Sequence, residues 1–318
     1  MENKSLDLES FFNKTYNHVE QKLDDKIPDI KMRNALRGGK RLRSLLAQLS
    51  FKTCTVGLES KSMYHKSLES SVSIELAHGA SLVHDDIIDK DIERRGKPAF
   101  HVKEGVSKAL LMGHQMLAHG FDIALSHGKE VAKLYVDSWN RVVSGEIDEV
   151  DFNKNGLSTK TSTKEQIFEA YNRIIDLKTA GLFASACKVG AIEANMTGDI
   201  LKVFSDYGRE IGLAYQLADD LVDLENGEVL NSVILPLLNR LEKKPKIGLI
   251  KKRELKKTLA KNQDKIKQYY LDEIKKHVTL AEKLSNSNLI PNSNYKDLLT
   301  QAPKYIINRM LSEIKITI

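Results

Sequence analysis

Thirteen residues from His84 to Gly96, HDDIIDKDIERRG, carry four aspartates and two adjacent arginines directly after an apolar stretch, ELAHGASLV. Asp85, Asp86 and Asp89 have the spacing D-D-x-x-D. On a helix, positions 85 and 89 stand one turn apart on one face, with about 6 Å between side-chain roots. Two carboxylates at that separation repel each other unless a cation lies between them. Carboxylate oxygens with open space around them suit Mg2+, which keeps several waters and shares phosphate oxygens. One such cluster alone reads equally well as a solvated helix end. The spacing returns 134 positions later in AYQLADDLVDLENG, as Asp219, Asp220 and Asp223, again after an apolar stretch. Two helices that each end in D-D-x-x-D can face each other across a bundle and enclose a shared metal site.

Magnesium held by carboxylates presents phosphate, and the sequence supplies matching cations. RGGKRLRSLL carries Lys40, Arg41 and Arg43 after the paired glycines Gly38 and Gly39. Glycine lets backbone approach a ligand, and a helix start favours anions. Arg94 and Arg95 follow the first aspartate cluster; arginine suits bidentate phosphate binding. Ion pairs to Asp91 and Glu93 are the plainer alternative for them. Lys178, in DLKTAGLF, falls in an apolar helical stretch and requires an anionic partner there.

These residues need a scaffold. The chain has 318 residues, 41% hydrophobic and 29% charged, enough for a large core in a soluble protein. The net charge of +6 fits a solvated surface and also a phosphate-bearing ligand. Two cysteines, Cys54 and Cys187, make no disulfide framework. The first residues are polar, so no signal peptide is expected, and no run approaches the roughly 20 apolar residues of a spanning helix. A cytoplasmic protein without transmembrane segments is expected.

No proline lies between Pro98 and Pro236, which favours long helices. Leu36, Leu42, Leu45, Leu46 and Leu49 fall close to one face. Ile74, Ala77, Ser81 and His84 follow helical steps, as do Ile167, Ala170, Ile174, Leu177 and Gly181. Strand alternation is absent. Residues 151–165 and 285–296 read as loops. Residues 243–276 are rich in lysine, with Ile247, Leu249, Ile250, Leu255, Leu259 and Ile266 spaced as an amphipathic helix with a solvated basic face. No nucleic-acid-binding motif accompanies them. The fold class expected is all-α, a large helical bundle forming one domain over 1–318.

The ordered set GGKRLR (38–43), HGASLVHDDIIDKDIERRGKPAFH (78–101), KTA (178–180) and YQLADDLVD (215–223) resembles the all-trans prenyl diphosphate synthases, the polyprenyl synthetase family. The resemblance implies the isoprenoid synthase helical bundle, commonly a homodimer, and a trans-prenyltransferase that condenses isopentenyl diphosphate with an allylic diphosphate. By the same resemblance, Asp85, Asp86 and Asp89 hold two Mg2+ on the allylic diphosphate, and Asp219, with its neighbours Asp220 and Asp223, holds a third. Arg94 matches the arginine on the allylic diphosphate. Lys40, Arg43, His78 and Arg95 match the isopentenyl diphosphate site. Lys178, Thr179 and Gln216 match residues near the allylic diphosphate and the developing carbocation.

The sequence also departs from the family pattern. A lysine that usually follows the second aspartate motif is missing from LENGEVLNSVILPLL, where Glu228 takes the place. Glu146 stands where glutamine is common, and His114 where aspartate is common. Three other readings compete: a cyclase on the same fold, disfavoured by the retained Lys40, Arg43, His78 and Arg95; a partner subunit of a heteromeric synthase; and a basic nucleic-acid binder. Product length is read from the residues four and five places before the first aspartate, Ser81 and Ala80, with Ala77 one turn below. All three are small, which points to geranylgeranyl diphosphate or a longer product, with a floor near Met112 to Leu117. His84 either orders a carboxylate or packs.

Overall fold

The computed structural model describes residues 7–155, 164–227 and 252–318. They form α1 (Leu8–Lys26), α2 (Ile30–Leu36), α3 (Leu42–Thr55), α4 (Lys61–Ile88), α5 (Phe100–Glu104), α6 (Val106–Ser126) and α7 (Lys129–Asn155). Then follow α8 (Lys164–Ile175), a π-helical turn (Asp176–Ala180), α9 (Gly181–Glu193), α10 (Asp199–Asn226), α11 (Lys252–Ser285) and α12 (Asn294–Leu311). Side-chain caps fix several starts. The Asp29 carboxylate accepts the Lys31 and Met32 amides at 2.7 and 3.1 Å, Ser60 accepts from Met63 at 3.2 Å, and Ser293 from Lys296 at 3.2 Å. No described helix is long and apolar enough to cross a membrane.

The helices pack as a bundle around α10, whose Tyr207, Ile211, Leu217 and Leu221 are almost fully buried. One side of α10 joins Phe183 and Cys187 of α9 and Leu45, Leu46 and Leu49 of α3; the other joins Tyr270 and Ile274 of α11. Each such side chain contributes about 1.5–3 kcal/mol through burial. Among the described residues the all-helical expectation holds, with one exception: Glu93–Arg94 and Lys97–Pro98 pair as a minimal antiparallel hairpin.

Several local readings change. Residues 151–155 continue α7, because DFNKN holds no breaker before Gly156. Leu36 does not share a helix with Leu42: the chain turns between them at Gly38 (φ 81°) and Arg41 (φ 53°). The periodic series from Ile167 to Gly181 is interrupted by the π turn. Of the basic stretch 243–276, residues from Lys252 are helical, and Ile266 is buried beside α10. Ile247, Leu249 and Ile250, the side chains of Leu255 and Leu259, and Glu228 with the segment that follows it lie outside the described residues.

Candidate active site

α4 does not stop where its apolar stretch does. It runs on to Ile88, so Asp85 and Asp86 lie in its last turn and Asp89 is its C-cap. His78, Ser81, Leu82, Asp85 and Asp89 recur every three or four residues and share one face of the helix. That face lines a cavity of about 590 Å3. Across it stand Gln216, Asp219, Asp220 and Asp223 of α10, and Lys40, Arg43, Arg94, Arg95, Lys178 and Thr179 are among the other lining residues. The sequence-predicted residues therefore converge on one chamber, apart from Asp86.

Asp86 is 3% exposed and lies outside the lining. One residue along a helix is a turn of about 100°, and this carries Asp86 off the cavity face. Its Oδ1 accepts the Arg94 Nε at 2.7 Å and is also paired with Arg94 Nη2; Asp91 accepts from Arg94 at 3.2 Å. The hairpin that carries Arg94 and Arg95 reverses through Arg95 (φ 56°) and Gly96 (φ 71°). The Arg95 guanidinium donates to the Leu36 and Arg37 carbonyls at 3.2 and 3.1 Å, which ties the hairpin to the α2–α3 turn.

That turn is the cationic corner. Arg41 is buried and structural: it donates to Glu20 at 2.6 Å, Glu75 at 3.1 Å and the Leu36 carbonyl at 2.7 Å. Gly39 makes room for it, since a Cβ there would lie 2.7 Å from Arg41 Nη1 and 3.3 Å from Arg95 Nη1. Arg43 donates to His78 Nε2 at 3.0 Å and stacks 4.5 Å over the Phe183 ring. Burial, then the Arg43, Arg95 and Arg41 guanidiniums, hold His78 well below the usual imidazole range. Because a guanidinium can only donate, Nε2 is the acceptor in this contact. Lys40 is exposed, 3.8 Å from Glu313 of the turn after α12.

The opposite wall is acidic. Lys178, at the centre of the π turn, meets Glu146 of α7 at 2.5 Å, is paired with Glu149, and lies 3.9 Å from Asp85. These are the anionic partners that its place in an apolar helix requires, and they raise its pKa against the effect of burial. π turns recur at functional sites. Here the turn also presents Thr179, whose hydroxyl donates to Gln216 Oε1 at 2.7 Å. Gln216 Nε2 donates in turn to Asp220 Oδ1 at 3.0 Å, and the Tyr171 hydroxyl donates to Asp220 Oδ2. Burial, with its neighbouring aspartates, pushes Asp220 up to about 7 despite those bonds. Asp89 rises to about 6 through burial and the nearby Glu149 and Glu146, and Asp85 is raised well above the usual carboxylate range chiefly by burial.

Glu75, Glu149, Tyr171 and Tyr215 also line the chamber and were not singled out in the sequence. Glu149 carried a legible signal, three residues from Glu146 on one helical face. The others announce themselves only through tertiary contacts. His84 packs: its ring lies 5.4 Å from that of His114 and 6.2 Å from Trp139. Ala80 is fully buried among Val83, Met112 and Met116, about 100° around α4 from Ser81, and does not line the cavity. Ala77 packs with Val142, which does.

Among the described residues no group of three or more His, Cys, Asp or Glu side chains stands as a ready-made metal shell. The donor chemistry nonetheless fits a hard divalent cation. Oxygen-only carboxylates crowd both walls, and burial and mutual repulsion hold several of them above their ordinary pKa. An open-sided, partly hydrated ion such as Mg2+ relieves that crowding.

A family model for polyprenyl synthetase matches residues 25–232. The chain is 28% identical over 322 residues to the geranylgeranyl diphosphate synthase of Methanosarcina mazei, covering 92% of this chain and 95% of that one. It is 30% identical over 297 residues to the geranylgeranyl diphosphate synthase of Sulfolobus acidocaldarius, covering 85% of each. A decaprenyl diphosphate synthase from Rhodobacter capsulatus, 20% identical, shares the fold with a TM-score of 0.80 over 95% of this chain and 98% of that one. With both aspartate motifs facing one chamber and the family match spanning them, the chain belongs to the polyprenyl synthetase family.

Proposed function

We propose that this chain is a trans-prenyltransferase that joins isopentenyl diphosphate to an allylic diphosphate with Mg2+. The observation that carries this reading is the division of one cavity into acidic walls and a cationic corner. Asp85 and Asp89 on one wall, and Asp219 and Asp223 on the other, would hold the cations. Lys40, Arg43, His78 and Arg95 form the corner for a second diphosphate. Asp86 acts indirectly, by holding Arg94.

The bound cations would supply the positive charge that stabilises a departing diphosphate. Arg94 and Lys178 add positive charge at the same place. The allylic C–O bond breaks and its electron pair leaves with the diphosphate. The π pair of isopentenyl diphosphate, oriented from the cationic corner, forms the new C–C bond. The resulting tertiary cation loses a proton to the departed diphosphate. Leu82, Val142, Ile174 and Ile175 give the chamber an apolar wall that excludes water from the cation.

Apolar side chains recur along the outer faces of α6 (Leu111, Phe121, Leu125) and α7 (Val136, Val143, Ile147), all substantially exposed. This exposed stripe supports a homodimer in which a second copy covers it, which sedimentation would reveal. Cys54 and Cys187 are free, buried thiols, which suits a reducing cytoplasm. For product length, Ser81 at the cavity wall leaves room for a chain of geranylgeranyl length or longer.

The test is direct. The pure protein is incubated with isopentenyl diphosphate, Mg2+ and each allylic primer in turn, and the products are sized. Extended prenyl diphosphates are expected. Release of diphosphate without elongation would favour the cyclase reading, and no turnover would favour a noncatalytic partner subunit.

A further inference from the structure

The ammonium of Lys178 stands where the crowded carboxylates would otherwise face one another. It lies 2.5 Å from Glu146 Oε2, is paired with Glu149, and is 3.9 Å from Asp85 Oδ2. The Lys178 side chain is only 17% exposed. Glu146 and Glu149 project from α7; Asp85 belongs to α4, one turn before Asp89. One monovalent charge thus serves a cluster with formal charge well beyond it.

A divalent cation on Asp85 and Asp89 would come close to that ammonium in a recessed site, where like charges repel strongly. The two cannot comfortably share the same oxygens. The backbone of Lys178 is not free to withdraw, because α7 packs closely against it: a Cβ on Gly145 would lie 2.9 Å from the Lys178 amide nitrogen. The flexible four-carbon side chain is the part able to move, and the cavity beside it has room.

We propose that Lys178 is a displaceable counter-ion. Its ammonium holds the oxygens of Asp85, Glu146 and Glu149 in the metal-free protein and leaves them when a divalent cation binds, turning into the cavity to meet the diphosphate. Cation binding then frees a positive charge for the substrate, and by linkage the substrate tightens cation binding. Glu146 contributes directly, since a neutral glutamine there would grip the ammonium less firmly. This inference rests on the cation reading of the site.

The test uses Mg2+ alone, with no diphosphate, titrated calorimetrically into the wild type, Lys178→Met and Lys133→Met. Lys133 also belongs to the α7 neighbourhood, but it is an exposed lysine outside the cavity, paired with Asp137 at 2.9 Å. Removing a contacting charge from a recessed site is expected to tighten Mg2+ binding at least about tenfold in Lys178→Met, with under about threefold change in Lys133→Met. Reductive methylation of the wild type, read by mass spectrometry, is expected to label Lys178 faster when Mg2+ is added. Equal affinity in wild type and Lys178→Met, equal shifts in both variants, or labelling that Mg2+ leaves unchanged would each overturn the proposal while leaving the cation site standing. Absence of Mg2+ binding in wild type and Lys178→Met alike would overturn both.

Discussion

The Thr179 hydroxyl donates to the Gln216 side-chain oxygen at 2.7 Å, joining the π turn to the helix that carries the second aspartate motif. Gln216 passes the connection to Asp220 at 3.0 Å. Gln216→Leu leaves Thr179 and one Asp220 oxygen without that partner. A loss of about 1–3 kcal/mol in folding stability is expected, measurable by denaturant titration. Turnover should fall with it. Equal stability of Gln216→Leu and wild type would show the bond to be incidental.

Asp85→Ala and Asp219→Ala should each lower turnover by orders of magnitude, the first more severely, with the helical circular dichroism unchanged. EDTA should abolish activity, and added Mg2+ should restore it. Full turnover in metal-free buffer would refute the assignment of these carboxylates.

The carboxylates also make the metal-free protein sensitive to pH. Asp89 titrates near 6 and Asp220 near 7 when folded, whereas an unfolded aspartate titrates near about 4. The folded state therefore binds these protons more tightly. Their contribution to stability is complete below the unfolded value and is lost as pH rises through the folded values. Without metal, the Tm should fall between about pH 5 and about pH 8, and the rise in Tm on adding Mg2+ should be larger at the higher pH. A Tm increment from Mg2+ that is greater at the acidic end would contradict this.

Arg43→Ala and His78→Ala should mainly raise KM for isopentenyl diphosphate, by roughly 10- to 100-fold, equivalent to losing a charge-assisted hydrogen bond of about 1.5–3 kcal/mol. KM for the allylic primer should change far less. Steady-state kinetics with each substrate varied in turn decides it, and equal effects on both would mean that the two subsites are not separate.

Product length should respond to Ser81 and not to Ala80. Ser81 lines the chamber, so Ser81→Phe should yield shorter products while still consuming isopentenyl diphosphate. Ala80 packs against the α6 methionines, so Ala80→Phe should cost about 1–3 kcal/mol of stability through overpacking and leave the product distribution of the folded fraction unchanged. Chromatography of the extracted products from both variants tests the pair together.

The aspartate pairs 85/89 and 219/223 were legible in the sequence because helical spacing alone puts them on one face. Asp86 misled, since composition counts it with its neighbours while helix geometry turns it toward Arg94. Arg41 and Arg43 look alike in GGKRLR and both line the cavity, but Arg41 is taken up by Glu20, Glu75 and the Leu36 carbonyl, whereas Arg43 meets His78. Glu146 and Glu149 were visible as acids, but their pairing with Lys178 depends on α7 crossing the π turn, a contact without local signature. The small side chain of Ala80 reflects close packing against α6 rather than a tunnel wall.

The π turn at Asp176–Ala180 is a phase slip. It holds one residue more than an α turn, so everything after Ala180 is rotated by about one residue, roughly 100°, relative to an unbroken helix. Before the slip, Tyr171, Ile174 and Ile175 face inward; after it, Leu182, Phe183, Ala186 and Cys187 do. Excising a single residue within the turn would restore a regular helix and put one of these two sets out of register with its neighbours. Recombinant exchange of helices between relatives should accordingly succeed only when both crossover points lie outside these five positions.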